Sequence, residues 1–207
     1  MESEEKEEKK GFNPAIILGV AVIAIVILFI VVISIKPKPP EPLTVEYNGY
    51  KFVKKDNLWF TDWQVGKQVF TLTFRFNPQE VRDVSISGHL DQRFFEAYSY
   101  ITFDPVNKSM GYVALAASEL SLNLARGLAT TPIAACTFNA SACSERPIIT
   151  CNSTDEPVIY LNRDGPSEIV FAGNCITLSG DGIGLLKSVD KLLYLWYGID
   201  KQGPAET

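Results

Sequence analysis

Residues 15–35 form a run of 21 residues without a charge, in which Ser34 is the only polar side chain. A helix of about 20 apolar residues spans the hydrocarbon core of a bilayer. Only a helix or a closed barrel satisfies its backbone hydrogen bonds in that environment. The run therefore predicts a single transmembrane helix, with the lipid bilayer as the first partner of the chain.

The same run is too long for the apolar part of a cleavable signal peptide, which has roughly 7–15 residues before a small-x-small cleavage site. It ends in Ile33-Ser34-Ile35-Lys36, and this ending favours a retained signal-anchor. Lysines flank the run on both sides, so the distribution of positive charge does not decide its orientation. The orientation has to come from features that follow the helix.

All four cysteines follow the helix, at Cys136, Cys143, Cys151 and Cys175. An even number on one side of a membrane favours disulfides, which persist in oxidising compartments. Of the three possible pairings we favour 136 with 143, in a short surface loop, and 151 with 175. Four buried free thiols in a cytosolic domain are the alternative. A zinc site fits poorly, because no C-x-x-C pair and no nearby histidine are present.

Three candidate glycosylation acceptors also follow the helix, at Asn107, Asn139 and Asn152. Each begins an Asn-x-Ser/Thr triplet, and such triplets are modified only in the secretory pathway. Together with the cysteines they predict a single-pass protein of the cell membrane. The N-terminus is then cytosolic and the C-terminal domain extracytoplasmic.

Composition divides the chain into four parts. Residues 1–14 are rich in Glu and Lys and are predicted to be a disordered cytosolic tail. The transmembrane helix occupies 15–35. Residues 36–42 contain four prolines, which favour an extended polyproline stalk. Residues 43–207 are then one extracytoplasmic domain, of ordinary size for a single hydrophobic core.

That domain carries 14 Lys and Arg against 18 Asp and Glu, and no block of basic residues. Nucleic-acid binding requires clustered positive charge, so we set it aside.

The domain is predicted to begin with strands. Residues 45–53 are aromatic and β-branched with a break at Asn48-Gly49, and a turn at 55–57 leads into 58–63 as a hairpin. Residues 68–76 alternate with period two, which indicates a strand with one buried face. That face carries Phe70, Leu72, Phe74 and Phe76.

Helices and strands alternate in the second part. Residues 111–126 predict a mostly buried helix that ends at Gly127 as a left-handed cap. Its first apolar strip is formed by Val113, Ala116, Ala117, Leu120 and Leu124, and a second strip is formed by Leu115 and Leu122. The other predicted elements are strands at 98–103, 133–136, 148–151, 158–161 and 169–178, and a helix at 183–197. Helical spacing predicts that this last helix has a buried apolar stripe, formed by Leu185, Leu186, Val189, Leu192, Leu193 and Trp196.

The run from 98 to 136 fits a parallel strand–helix–strand unit, whose ligand crevice would lie where Asp104 and Cys136 end their strands. The fold class is predicted as α+β, with a mixed, mostly antiparallel sheet packed against two main helices.

No motif identifies a reaction, a metal or a cofactor. His89, the only histidine, lies in a glycine-containing turn without an evident catalytic partner. Asp62 and Asp104 could form a carboxylate pair of the kind that glycosidases use. We therefore expect a membrane-anchored binding or assembly module that contacts an envelope protein or a surface polymer. An exported, membrane-tethered hydrolase using carboxylates is the alternative.

Overall fold

The structure is a computed structural model that describes residues 14–34, 41–105 and 110–201. The chain divides after Glu41 into two units. In the first unit, helix α1 runs from Pro14 to Ser34. Counted over the described residues, no helix combines the length and the apolar character that a bilayer crossing requires. The predicted tail before Pro14 and the stalk at 36–40 lie outside the described residues.

The unit from Pro42 onward is α+β and contains a four-stranded and a six-stranded sheet with helices α2 and α3. Its elements are β1 Thr44–Tyr47, β2 Tyr50–Lys55, β3 Leu58–Val65, β4 Gln68–Phe74, β5 Ser85–Ser87, β6 Tyr98–Phe103, α2 Met110–Gly127, β7 Thr131–Cys136, β8 Val158–Asn162, β9 Glu168–Ala172, β10 Cys175–Ser179 and α3 Ile183–Trp196.

The four-stranded sheet is an antiparallel meander in the order β1-β2-β3-β4. Two of its turns, Asn48-Gly49 and Asp56-Asn57, have positive φ at both central residues. This geometry matches the twist of the flanking strands, so the predicted hairpin is confirmed. The predicted alternation of β4 is also confirmed, because Leu72 and Phe74 are buried while Thr71 faces solvent.

The six-stranded sheet has the order β5-β9-β10-β8-β6-β7, and only β9 and β10 pair antiparallel. The prediction of one mostly antiparallel sheet is therefore wrong, although the mixed α+β class is confirmed. The predicted parallel unit is present as β6-α2-β7. Consecutive buried residues such as Val158 and Ile159 are typical of strands covered on both faces.

Two other predicted strands change in the structure. The predicted strand at 169–178 is a hairpin, because Gly173 adopts a positive φ and turns β9 back into β10. The predicted strand at 148–151 is reduced to a single bridge between Ile148 and Cys136.

Gly127 is not the predicted left-handed cap, since the positive φ falls on Ala129 instead. Gly127 remains in α2, where a Cβ atom would lie 2.2 Å from the Tyr197 hydroxyl. A glycine is therefore needed for close packing of α2 against the end of α3.

Helix α3 is buried along most of its length, and its predicted apolar stripe is confirmed. On one side it packs against β9 and β10. On the other side Tyr194 contacts the rings of Phe52 and Phe74 in the meander, with centroids 5.7 and 4.4 Å away. The helix thus lies between the two sheets and also contacts α2. The buried stripe consists of Leu185, Leu186, Val189, Leu192, Leu193 and Trp196.

Candidate binding groove

Strand β4 is the last strand of the meander, so one of its edges has no neighbouring strand in the described part of the chain. Helix α2 lies beside this open edge, and a cavity of about 330 Å³ separates the two. We call this cavity the β4–α2 groove. Its wall on the α2 side is formed by Leu115, Ser118, Glu119, Leu122, Asn123 and Arg126.

The exposed part of α2 differs from the prediction. Its first apolar strip is buried as expected, with Val113 and Leu120 at or near zero exposure. The second strip is not buried, because Leu115 is 40% exposed and Leu122 is 49% exposed. Both leucines line the β4–α2 groove. An apolar strip beside an open strand edge is a feature of interaction sites.

The end of β4 is held in place by helix α3. The buried Asp190 carboxylate accepts hydrogen bonds from the backbone N–H groups of Arg75 and Phe76 through Oδ2, at 2.9 and 2.8 Å. The Tyr194 hydroxyl donates to the Phe76 carbonyl oxygen at 2.5 Å. Asp190 and Tyr194 therefore hold the end of β4 from the side of α3, while the outer edge of the strand stays open.

Tyr197 fixes the position of α2 relative to the meander. Its carbonyl oxygen accepts a hydrogen bond from Trp63 Nε1 at 3.0 Å, and its hydroxyl donates to Asn123 Oδ1 at 2.9 Å. The Trp63 and Tyr197 rings also contact each other, with centroids 4.8 Å apart. Tyr197 itself lines the groove, so the distance between β4 and α2 is set by well-anchored side chains.

The carboxyl groups beside the groove have unusual environments. Glu119 forms an ion pair with Arg75, yet burial raises the pKa of its carboxyl. Burial, and secondarily the nearby charge of Glu119, raises the pKa of Asp190 well above its ordinary value. Asp190 Oδ1 and Glu119 Oε2 have no hydrogen-bond partner among the described residues. The carboxyl groups of Asp190 and Glu119 therefore both favour retention of a proton.

Arg126 carries the uncompensated charge of the groove. It is exposed, lines the cavity and makes no ion pair with any residue that the structure describes. Arg75 and Glu119 neutralise each other, so the groove presents a net positive charge in an acidic domain.

The predicted carboxylate pair is not brought together. Asp62 lies on the exposed face of β3 and accepts a hydrogen bond from Thr71 at 2.9 Å. Asp104 follows β6 in the other sheet, where the hydroxyls of Thr137 and Tyr160 donate to its two oxygens. Burial, with a smaller contribution from Asp104, raises the pKa of Tyr160 to about 12. The polar cluster around Asp104 is satisfied internally and joins the ends of β6 and β7 to the middle of β8.

A glycine-rich turn, Gly180-Asp181-Gly182-Ile183-Gly184, joins β10 to α3 and was not singled out from the sequence. A Cβ on Gly180 would lie 2.3 Å from the backbone of Gly184 and Leu185, and one on Gly184 would lie 2.7 Å from the Ser167 hydroxyl. Close packing accounts for these glycines. The Asp181 carboxylate disfavours an anion at this helix start, so we assign no phosphate site here.

The cysteines form two disulfides, Cys136–Cys143 and Cys151–Cys175, with Cα atoms 6.3 and 5.4 Å apart. These are the pairs that the sequence favours. The first is not at the surface as expected, because both of its cysteines are at most 2% exposed. The second joins a turn to the first residue of β10, and not to the middle of a long strand.

The candidate acceptors Asn139 and Asn152 are exposed in loops, where a glycan could be accommodated. Asn107 lies outside the described residues.

His89 is exposed in the turn after β5, and we expect His89→Ala to change the free energy of unfolding by less than about 0.5 kcal/mol. The neighbouring Gly88→Ala is a matched control that should destabilise clearly, because its Cβ would lie 2.1 Å from the Phe171 carbonyl oxygen and its φ is +75°. Urea denaturation of both variants measures the difference. Loss of cellular function in His89→Ala at unchanged stability would revive a catalytic role for this side chain.

The chain matches no protein-family model, no curated protein and no solved structure, so a function has to be inferred from the β4–α2 groove and its chemistry.

Proposed function

We propose that this protein is a single-pass, membrane-anchored module that works outside the cytoplasm and binds its partner through the β4–α2 groove. The observation that carries the proposal is the pairing of an open strand edge with the exposed Leu115 and Leu122. Apolar side chains that remain exposed beside unpaired backbone groups are favourably covered by a partner.

The proposed anchor rests on the uncharged run at 15–35, whose length suits the hydrocarbon core of a bilayer. The proposed extracytoplasmic location rests on the two disulfides, which persist in oxidising compartments. The exposed acceptors Asn139 and Asn152 agree with this location.

A binding function is favoured over catalysis because the polar groups beside the groove already have structural roles. Asp190 is 1% exposed and accepts two backbone N–H groups. Arg75 is paired with Glu119. A general acid or base has to come within hydrogen-bond reach of a substrate, and the wholly buried Asp190 carboxylate has no such access.

One observation favours the alternative, a membrane-tethered hydrolase. Glu119 lines the groove and has a raised pKa, which is a property of general acids in hydrolases. In that case Glu119→Gln would abolish turnover while it leaves the capture of a partner unchanged. If the protein is a binding module, it has no turnover, and Glu119→Gln therefore changes no catalytic rate.

Site-specific photo-crosslinking of the full-length protein in intact cells tests the proposal. A photoreactive residue in place of Leu122 should give an adduct of discrete mass, because Leu122 lines the groove. The same residue in place of Lys51, which lies in a depression on the outer face of the meander, is the control and should give none. Adducts from Lys51 alone would move the site to the outer face, and no adduct from either position would contradict a binding function.

The same cells report the location of the domain. After mild reduction, a membrane-impermeant maleimide should label Cys151, which is more exposed than Cys136 or Cys143. Labelling that occurs only after lysis would place the domain in the cytosol.

A further inference from the structure

We infer that the occupant of the β4–α2 groove is an extended peptide segment of another protein, which pairs with β4 as a fifth strand of the meander. Its apolar side chains would cover the exposed strip of α2, and a carboxylate of the segment would pair with Arg126. This inference rests on the proposed function and specifies the chemical class of the partner.

The open edge of β4 is well suited to accept a strand. Its residues, Gln68 to Phe74, include no charge and no proline. Each of the seven pairs in register with β3, so no bulge interrupts the strand. Natural sheets usually protect such edges with charges, prolines or bulges, and the pairing of an added strand relies mainly on backbone hydrogen bonds. The absence of charges, prolines and bulges on β4 therefore favours a strand as the occupant.

The position of α2 adds apolar contacts to this pairing. A strand added to β4 would lie about 4.8 Å from it, on the side where α2 walls the groove. Leu115 and Leu122 project into that space from α2, while Leu58 and Phe70 line it from the meander. An added strand would therefore bury apolar side chains as well as backbone groups, and alternate residues of the partner would meet the leucines.

Charge complementarity indicates one further property of the partner. The ion pair between Arg75 and Glu119 is neutral overall, so Arg126 gives the groove a net positive charge. The rest of the domain is acidic. A carboxylate in the partner would compensate the charge of Arg126, which is exposed and lines the groove.

A second copy of this chain fits less well than a separate peptide. If two copies joined through their β4 edges, the two β4 strands would be about 4.8 Å apart. The α2 helix beside each edge would then be brought close to the α2 helix of the other copy. Packed helices need 8–10 Å between their axes, so the two helices would compete for the same space. A peptide segment brings no helix and avoids this conflict.

The test uses the full-length protein in lipid nanodiscs and a phage library of random twelve-residue peptides. We expect enrichment of peptides that alternate apolar residues and carry an acidic side chain. Leu122→Glu should weaken the binding of an enriched peptide at least ten-fold, and Arg126→Ala should weaken acidic peptides selectively. Ile183→Glu is the matched control, since Ile183 is 53% exposed on α3 and does not line the groove. The control variant should bind like the wild type.

The decisive readout is N-methylation of alternate backbone amides in an enriched peptide. In an added strand only every second amide faces β4, so one methylation pattern should abolish binding and the other should leave it largely intact. Equal effects of both patterns would overturn strand addition. If Leu122→Glu still weakened binding in that case, the proposed function would stand without this inference.

Three further outcomes also overturn the inference. These are the absence of any enriched peptide, binding that is insensitive to Leu122→Glu, and a crosslinked adduct at Leu122 whose mass is that of a second copy. Absence of every adduct in intact cells would remove the proposed function as well.

Discussion

Asp190→Ala is expected to destabilise the domain by about 3–5 kcal/mol, because it leaves two partly buried backbone N–H groups without their acceptor and creates a cavity in the core. Those N–H groups belong to Arg75 and Phe76, which directly follow β4. Asp190→Asn keeps an acceptor of the same shape and should cost much less. Chemical denaturation followed by tryptophan fluorescence measures both variants. Equal losses of stability in the two variants would show that the destabilisation does not come from the lost hydrogen bonds to the end of β4.

The same carboxyl predicts the direction of a pH dependence. Because the folded-state pKa of Asp190 lies above its unfolded value, the folded protein binds the proton more tightly than the unfolded chain does. This contribution to stability is fully present below the unfolded pKa, near pH 4. It is lost as the pH rises through the folded pKa. Asp190→Asn should flatten this dependence, and an unchanged profile would contradict the raised pKa.

Removal of either disulfide is the second change with a large expected effect. We expect each removal to lower the free energy of unfolding by about 2–5 kcal/mol. In the chain-entropy model the loops of 7 and 24 residues give roughly 2.4 and 3.4 kcal/mol. The shorter bridge is also buried in the core, so its removal additionally leaves a cavity. Cys136→Ala with Cys143→Ala should therefore cost at least as much as Cys151→Ala with Cys175→Ala.

Denaturant titration of the two double variants, with the unreduced wild type as control, measures this difference. A much smaller loss for the 136–143 pair would mean that loop entropy alone governs both bridges. Full stability of both double variants would show that the bridges are dispensable for folding.

The hydrogen bonds of Asp190 and the packing of Tyr197 also link these experiments to the groove. Both side chains lie on or directly after α3 and hold the two walls of the groove, β4 and α2. A variant that loosens them should therefore weaken peptide binding together with stability. Leu122→Glu should affect binding alone, since its side chain is half exposed.

Features that depend on local chemistry could be predicted from the sequence. The turn at Asp56-Asn57 and the alternation of β4 follow from the conformational preferences of a few neighbouring residues. The buried stripe of α3 follows from helical periodicity. The pairing of the cysteines could be chosen correctly because few pairings exist and one places a bridge across a short loop.

Only the tertiary structure decided how these elements combine. The split into two sheets and the parallel order of the larger one depend on contacts between residues far apart in the chain, which no local pattern encodes. The role of Gly127 depends on Tyr197, 70 positions later. The β4–α2 groove exists because, among the described residues, β4 has no further neighbouring strand and α2 leaves Leu115 and Leu122 exposed. Helical periodicity reveals that these leucines share a strip, but only packing determines whether that strip is buried or exposed.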